Sequence, residues 1–457
     1  MRLKIAQLRH VVKGDLPVEF TEQPITSYSG LELFRRYFDL IGLHRRIRDA
    51  CHGAGLRSDY GCGRVVLVVI TLFLVGARRL EQLRHISQDP LVLRLCGLKN
   101  IPSGQTVVNW LKQFTQQRLR ALIRVNSELL YEQIERLKLG RLTIDVDGTV
   151  IQTGNQVAWA FRGFNPHRKK NKSYYPCLAH LAQTGQILRV HNRPGNVHDS
   201  RGADRLLKEL LDGLRARFGR RMPLEFRMDS AFFKENILKR LEREKCDYAI
   251  KVPFWRWLGL KSLVADRSRW TRVDEKLSGF ETQLDVEPWS LSLRVVVYRK
   301  LVRHHTPKNF QLDLFSPDDG HYEYSAIATN KALALKSLWE FAAGRGAQEK
   351  TLAELRGEFA LDVVPTNHYG ANSAWQQISI LAHNLCRGFQ LDTIAPLKPR
   401  SNKRTFSYLI RSVRTLRFLI IAKAGRLTRS RGRQTLKIPQ NADTQRLYED
   451  LELALAS

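Results

Sequence analysis

The chain has 457 residues, of which 43% are hydrophobic and 26% are charged, a composition typical of a folded globular protein that excludes a wholly disordered one. Its 75 Lys and Arg exceed its 44 Asp and Glu, and a polyanion would neutralise the resulting net charge of +31; nucleic acid is the first candidate and an anionic membrane surface the second. The most apolar run, Val65–Val75, is much shorter than the roughly 20 residues of a membrane-spanning helix, so a buried helix is predicted there.

The cysteines favour a reducing compartment. Six of them lie far apart, at positions 51, 62, 96, 177, 246 and 386. This spacing is typical neither of a disulfide framework nor of a zinc site. We therefore expect the protein to be cytoplasmic.

The first part of the chain, residues 28–135, is predicted to be helical. Apolar residues recur there at three- and four-residue spacing, beginning with Leu31 and Phe34. The same spacing predicts further helices around 64–76, 104–118 and 119–136. Ser103 is the expected N-cap of the helix that follows a Gly/Pro turn in segment 95–110. One interpretation of this segment is a helix-turn-helix that reads DNA, and the other is a pair of helices that only pack together.

From residue 141 onward the pattern becomes that of strands. β-branched and polar residues alternate in Arg141–Val150. Further elements are then predicted in the order strand 174–182, strand 186–192, helix 200–217, strand 223–229, helix 232–244 and strand 247–252. Strand pairs followed by strand–helix–strand units indicate a mixed sheet covered by helices.

The remainder of the chain combines a β-rich, aromatic segment with helices. Residues 253–328 alternate like strands and contain Trp255, Trp257, Trp270 and Trp289, which could stack on an unpaired base or simply pack in a core. Helices are predicted at 332–358 and 373–390.

The C-terminal region is strongly basic. Thirteen Lys or Arg and no acid lie between Asp392 and Asp443. Apolar positions from Phe406 to Leu416 predict a helix within it, so this region is expected to be a folded basic surface.

Three aspartates have the context of a metal site. Asp145 and Asp147 lie two apart on one predicted strand and so project from the same face, and Asp229 ends another strand. Converging carboxylates repel one another unless a cation neutralises them, and oxygen ligands of this kind suit Mg²⁺ or Mn²⁺. Taken singly, a strand-end aspartate is more often a helix cap. Together with a basic surface, such acids are what metal-dependent phosphodiester chemistry requires.

Several short motifs then resemble one known family, the DDE transposases of bacterial insertion sequences, with a group-1 DDE domain and an RNase H-like core. The motifs that carry the resemblance are Asp145-Val-Asp-Gly-Thr149, Arg193-Pro-Gly-Asn196, Arg227-Met-Asp-Ser-Ala-Phe232, and Arg345-Gly-Ala-Gln-Glu349 with Glu354-Leu-Arg356. Further support comes from Pro102-Ser-Gly-Gln-Thr106, Tyr369-Gly-Ala-Asn-Ser-Ala-Trp375 and Ala382-His-Asn-Leu385. The likeness runs from about residue 26 to 440.

The resemblance implies a catalytic, metal-binding triad of Asp147, Asp229 and Glu349, with Asp145 as the rival for the first position, and ligation of two Mg²⁺ or Mn²⁺ ions. It also implies a Tyr-x2-Arg-x3-Glu-x6-Lys helix. Arg345 and Glu349 match this pattern, whereas Arg356 replaces the Lys and Ala342 replaces the Tyr. Arg345 and Arg356 are then expected to hold phosphates, the alternative being a surface ion pair between Arg345 and Glu349.

Other cations are expected to contact DNA. They are Arg168, Lys169 and Lys170 in a basic loop near the first acid, and Arg411, Arg414 and Arg417 in the C-terminal region. His198 and Asp199 are expected to be a helix cap, with a general-base pair as the alternative.

The predicted fold class is α/β, with an RNase H-like mixed sheet, flanking helices and a β-rich insertion. The predicted regions are an N-terminal helical, DNA-binding region (1–135), the first part of the RNase H-like core (136–252), the insertion (253–328), the second part of the core with the catalytic Glu (329–390) and the basic C-terminal region (391–457). The implied function is transposition of DNA by a homodimer in a synaptic complex with element ends and target DNA. The alternatives are an RNase H-like nuclease and a catalytically inactive, transposase-derived regulator.

Overall fold

The N-terminal part of the chain is helical, as its periodicity predicts. The computed structural model describes residues 18–163, 168, 170–197, 201–302, 322–430 and 432–456. Within the described residues up to 136, the helices are α1 (Leu31–Leu40), α2 (Leu43–Gly53), α3 (Cys62–Leu74), α4 (Pro90–Cys96), α5 (Gly104–Leu111) and α6 (Arg120–Arg136). The apolar run at 65–74 is buried along its whole length in α3. No helix of the described residues is long and apolar enough to cross a membrane.

The segment predicted as a possible helix-turn-helix contains α4 and α5. Ser103 caps α5, since its hydroxyl accepts the backbone N–H of Thr106 at 3.1 Å. The helix predicted over 104–118 ends at Leu111, earlier than its apolar spacing suggested. α5 packs against a 3₁₀ helix (Leu80–His85) and against a later core helix.

A mixed sheet forms the centre of the molecule. In the described residues its nine strands are β2 (Leu142–Gly148), β5 (Cys177–Leu181), β6 (Ile187–His191), β7 (Leu224–Met228), β8 (Asp247–Val252), β9 (Thr271–Arg272), β10 (Leu277–Val286), β11 (Leu291–Leu301) and β12 (Tyr322–Thr329). Their order across the sheet is β6-β5-β2-β7-β8-β12-β11-β10-β9. β2, β7 and β8 run parallel, while β5 and β6 run antiparallel beside β2. This arrangement, with helices between the parallel strands, confirms the predicted RNase H-like α/β fold class.

The β-rich segment is continuous with the core sheet. β12 pairs antiparallel with the edge of β8, with Ala326 opposite Val252, and β11, β10 and β9 follow outward. A small separate pair, β3 (Ile151–Gln152) and β4 (Ser173–Tyr174), lies close to the end of β2 in the chain. The helices of this part are α7 (Ala203–Phe218), α8 (Glu235–Arg243), α9 (Leu260–Ala265), α10 (Leu335–Ala343) and α11 (Ala347–Glu358).

The helix predicted over 332–358 is interrupted. A 3₁₀ turn, Gly344–Gly346, separates α10 from α11. Gly344 has no space for a side chain, because a Cβ there would lie 1.8 Å from the carbonyl oxygen of Lys403 and 2.2 Å from a guanidinium nitrogen of Arg227. Close approach of these groups therefore requires glycine at the break.

One long helix, α12 (Tyr369–Thr393), joins the sheet to the N-terminal helices. Most of it is buried, and it packs against α3, α5, α6 and β6. Trp375 of α12 meets Phe73 of α3 edge-on at 5.0 Å. Asn384 accepts the backbone N–H of Ile187 and donates to its carbonyl, each at 2.8 Å, and so satisfies an edge residue of β6.

The C-terminal region is folded, but the helix predicted from Phe406 to Leu416 is mostly wrong. Only α13 (Val413–Leu416) is α-helical, and it continues as a π-helical turn to Ile421. Ser412 caps α13 and so fixes its start, while Tyr408 forms a β-bridge with Leu397 instead. The last elements are β13 (Gly425–Ser430), β14 (Arg433–Lys437) and α14 (Ala442–Ala456). β1 (Ile25–Thr26) pairs with β13, so early and late residues share a small sheet.

Candidate active site

Asp147 and Asp229 lie at the carboxyl ends of adjacent parallel strands. Val146 of β2 is opposite Met228 of β7, and the residues that follow them in the sequence are Asp147 and Asp229. Both are half-buried. Asp229 also caps a short 3₁₀ turn, since its Oδ1 accepts the backbone N–H of Ala231 at 3.1 Å. The cap that the sequence offered as an alternative is thus present, and it uses one carboxylate oxygen.

Asp145, the rival for the first position, is enclosed in the core. Its side chain is fully buried and receives two hydrogen bonds from Arg227, at 2.5 and 2.8 Å, while His180 Nδ1 lies 3.3 Å away. Burial opposes ionisation of Asp145, but Arg227 and His180 together outweigh it through their charge and hydrogen bonds, so the pKa of this carboxyl is lowered. Asp147 has 21% of its side chain exposed and is therefore the more accessible of the two.

Arg227 connects this buried pair to the helices above the sheet. Its Nη1 donates to the carbonyl oxygens of Phe341, at 2.9 Å, and Lys403, at 2.8 Å. The guanidinium is 1% exposed. Arg227 therefore holds the end of α10 and the backbone at Lys403 over β2, the strand that carries Asp145.

Arg345 forms an ion pair with Asp147. Its Nη1 lies 2.9 Å from Asp147 Oδ2, and the backbone N–H of Gly148 donates to Oδ1 at 2.9 Å. Arg345 belongs to the 3₁₀ turn before α11, which explains how it reaches back to the sheet. Its observed ion pair is therefore with the first acid and not with Glu349, the partner considered from the sequence.

Glu349 is exposed in the first turn of α11. The preceding residue, Gln348, is buried, and its amide approaches the carbonyl oxygen of Asp145 at 3.4 Å. The start of α11 therefore lies against β2. Among the residues that the structure describes, no three His, Cys, Asp or Glu side chains come together as a metal site.

Lys251 lies beside these acids, and no motif of the sequence indicated it. Burial lowers its pKa first, and the charge of Arg345 lowers it further, while Asp229, Asp147 and Glu349 act in the opposite direction. The residue as a whole is exposed, although burial is the largest cause of the lowered pKa of its ammonium group. One signal could have found it, because Lys251 is a charged residue among the buried residues of a strand.

The other cations predicted to contact DNA have different environments. Arg168 and Lys170 are exposed, and Arg168 approaches the amide oxygen of Gln152 at 3.4 Å. Lys169, like His198 and Asp199, lies outside the described residues. Arg356 is exposed in the last turn of α11.

The three C-terminal arginines separate into two groups. Arg411 and Arg414 are exposed, although Arg414 also pairs with Glu358 at 2.7 Å. Arg417 is 13% exposed, pairs with the same glutamate, and donates to the carbonyl oxygens of Phe73 and Leu74. The guanidinium of Arg417 is thus used within the fold.

Several motifs of the resemblance are structural. A Cβ on Gly195 would lie 2.3 Å from Ser173 Oγ, so only glycine allows these segments to meet. The hydroxyl of Tyr369 donates to the carbonyl oxygen of Asn192 at 2.6 Å. The first contact holds the backbone at Gly195 against β4, and the second joins the residue after β6 to the start of α12.

The tryptophans after β8 also have different environments. Trp257 is 51% exposed and stacks on Trp255, with ring centroids 5.6 Å apart, beside an open pocket of about 480 Å³ that Lys234 also lines. Trp270 instead packs edge-on against Phe280 at 4.8 Å. Trp257 therefore has a face available for a partner.

Comparison with known proteins places the chain in a family. A family model described as "Transposase DDE domain group 1" matches residues 9–457. No curated protein matches the chain. Among solved structures, a piggyBac transposase synaptic complex with hairpin DNA is similar over 87% of this chain and 82% of that one, with 12% identity and a TM-score of 0.42. A Mos1 transposase paired-end complex with the left transposon end is similar over 53% of this chain and 65% of that one, with 13% identity and a TM-score of 0.18. At such low identity and TM-score, the structures carry no functional argument, and membership rests on the family model.

Proposed function

Because the chain belongs to the family of transposases with a group 1 DDE domain, we propose that it binds the terminal inverted repeats of its own element, cleaves the DNA there and joins the freed 3′-OH ends to target DNA. The observation that carries this proposal is the placement of Asp147 and Asp229 at the ends of adjacent parallel strands. Carboxylates so placed, in a chain of net charge +31, are suited to phosphodiester chemistry.

Asp147, Asp229 and Glu349 would hold Mg²⁺ or Mn²⁺, with two ions expected. Carboxylate oxygens are the ligands that hard divalent cations prefer. The donor set fits such an ion in a second respect, because the protein already places a cation, the guanidinium of Arg345, 2.9 Å from Asp147 Oδ2. When bound, the metal would activate the attacking oxygen and stabilise the leaving one.

The residues of the chain itself would orient the DNA. Water would attack first and a DNA hydroxyl second, each in line with the bond that breaks. Arg345, once released from Asp147, and the exposed Arg356 would hold phosphates beside the reacting one. Exposed Arg168, Lys170 and Arg411 would hold the DNA backbone further away. A homodimer is expected to pair two element ends.

The test is to incubate the purified protein with Mg²⁺ and a plasmid that carries its gene with both flanking regions, and to map the nicks. Nicks at the two element ends, and covalent joining of those ends to a second plasmid, are expected. Nicks without preference for the ends would favour a nuclease. Specific binding without any nick would favour an inactive regulator, an alternative that Ala342 at the Tyr position supports.

A further inference from the structure

We propose that Lys251 is a further DNA-binding residue of this site, which holds an oxygen of the phosphodiester that reacts beside Asp229. This inference rests on the proposed function. It assigns a phosphate contact to a strand residue outside the motifs that resemble the family.

The register of the parallel strands places Lys251 beside Asp229. Met228 of β7 is opposite Ile250 of β8, and the next residues of the two strands are Asp229 and Lys251. Since Val146 is opposite Met228, Asp147 continues the same row on the other side of Asp229. The row therefore reads Asp147, Asp229, Lys251 across three adjacent strands, and side chains in one row project from the same face.

The preceding row shows why this row is open. Two residues earlier on the same face lie Asp145, Arg227 and Ala249, all of them buried. Ala249 packs with Phe341 of α10, and Arg227 donates to the carbonyl oxygen of Phe341. The helices thus cover the first row, whereas the second row lies at their margin, where Asp147 and Asp229 are half-buried and Lys251 is exposed.

The ammonium group of Lys251 is not held by an ion pair of the described residues, which leaves it available to an incoming anion. Asp147, Asp229 and Glu349 all act on its ammonium group, as does Arg345. Arg345 already forms an ion pair with Asp147. Lys251, in contrast, has no ion pair within 4.0 Å among the described residues. A lysine is a compact point charge with three rotatable donors, and such a group binds a phosphate oxygen without requiring a fixed geometry.

The experiment compares Lys251→Gln with Lys251→Arg and with a matched control, Lys208→Gln. Lys208 is an exposed lysine on α7 that pairs with Asp212, so its substitution removes the same charge away from the row. Each protein is assayed for Mn²⁺ binding without DNA, by isothermal titration calorimetry, and for nicking at a mapped element end. Thermal unfolding is followed in parallel, and Lys251→Ala replaces the Gln variant if that variant does not fold.

Loss of Lys251 should affect the two measurements in opposite directions. Removing a positive charge from beside the carboxylates should tighten Mn²⁺ binding roughly three- to tenfold. Losing the phosphate contact should slow nicking at least about tenfold. Lys251→Arg should restore both, and Lys208→Gln should change neither. A variant that merely disturbs the structure would weaken both.

Two results would overturn these ideas separately. Normal nicking or unchanged Mn²⁺ affinity in Lys251→Gln, with an active wild-type protein, would overturn the role of Lys251 alone. A wild-type protein that neither binds Mn²⁺ nor nicks the DNA would overturn the proposed function.

Discussion

Asp145 and Arg227 are opposite each other in the parallel register of β2 and β7, and they form a two-point ion pair that solvent does not reach. Removing one partner of such a pair leaves the other charge buried without compensation. Asp145→Asn should therefore lower the free energy of unfolding by roughly 3–5 kcal/mol. Asp147→Asn is the matched control, because its ion pair is partly exposed, and it should cost less than about 1 kcal/mol. Urea unfolding of both variants measures the difference, and equal losses would contradict this account.

The proposed metal ligands should be needed for cleavage but not for DNA binding. Asp147→Asn, Asp229→Asn and Glu349→Gln should each reduce nicking at least about a hundredfold, since each removes a ligand of the metal that stabilises the transition state. Binding to the element end, measured by electrophoretic mobility shift, should persist. Asp212→Asn, an exposed acid on α7, should nick normally. Near-normal nicking by one of the three variants would remove that residue from the site.

Glu354 should give the stability of the protein a dependence on acid pH. Burial raises the pKa of its carboxyl, but His383 and Arg387 outweigh this effect and lower the pKa to about 2. A lowered pKa means that the stabilisation is complete above the unfolded value of 4.5 and is lost as the pH falls towards 2. The contribution is on the order of 3 kcal/mol near neutral pH, and more than half of it should be lost by about pH 3.

The measurement is urea unfolding of the wild-type protein and Glu354→Gln between neutral pH and about pH 3. The difference between them should shrink as the pH falls below the unfolded pKa. A difference that stays constant with pH would show that Glu354 contributes through its shape and not through its charge.

The hairpin of β13 and β14 should supply affinity for DNA without sequence preference. Arg426, Arg429, Arg433 and Lys437 are exposed on it. If all four neutralise phosphates, replacing them with Gln should flatten the slope of log K against log salt concentration by about 3–4, at roughly 0.9 per phosphate. Preference for the element end over random DNA should survive, because contacts with phosphates carry no sequence information. An unchanged slope with lost end preference would instead make this hairpin the reader of sequence.

Trp257 should bind unpaired bases. Its face is open beside Lys234 and Trp255. Stacking of an aromatic side chain on a base contributes about 1–3 kcal/mol, so Trp257→Ala should weaken binding of an element end with unpaired bases about fivefold or more. Fluorescence anisotropy with paired and unpaired ends measures this. An equal loss for fully paired DNA would point to a disturbed surface.

The sequence predicted the elements of this fold better than their contacts. The buried helix α3, the cap at Ser103 and the strands β2, β7 and β8 follow from periodicity and turn chemistry. Strand alternation could not separate Asp145 from Asp147, because residues two apart share a face. Asp145 is buried and Asp147 is partly exposed because the helices cover only the first of them. That coverage depends on long-range contacts such as the one from Arg227 to Lys403.

The same limit explains the other discrepancies. Lys251 becomes part of the site only through pairing of β7 with β8, whose register a single strand does not reveal. The apolar residues from Phe406 onward have helical spacing, but Tyr408 is held by a bridge to Leu397 and Ser412 starts the helix later. The continuation of the core sheet into β12 likewise depends on pairing between Val252 and Ala326, which lie far apart in the sequence.

The small sheet of β1 with β13 constrains the order in which the parts of this protein can fold. Ile25 pairs with Arg426, a contact that spans about 400 residues of sequence. During synthesis on the ribosome, the N-terminal helices can form early by local contacts, but this sheet must wait until β13 has emerged. Four exposed cations, Arg426, Arg429, Arg433 and Lys437, lie on the hairpin of β13 and β14. A growing chain would therefore acquire them in folded form only after residues 425–437 have left the ribosome.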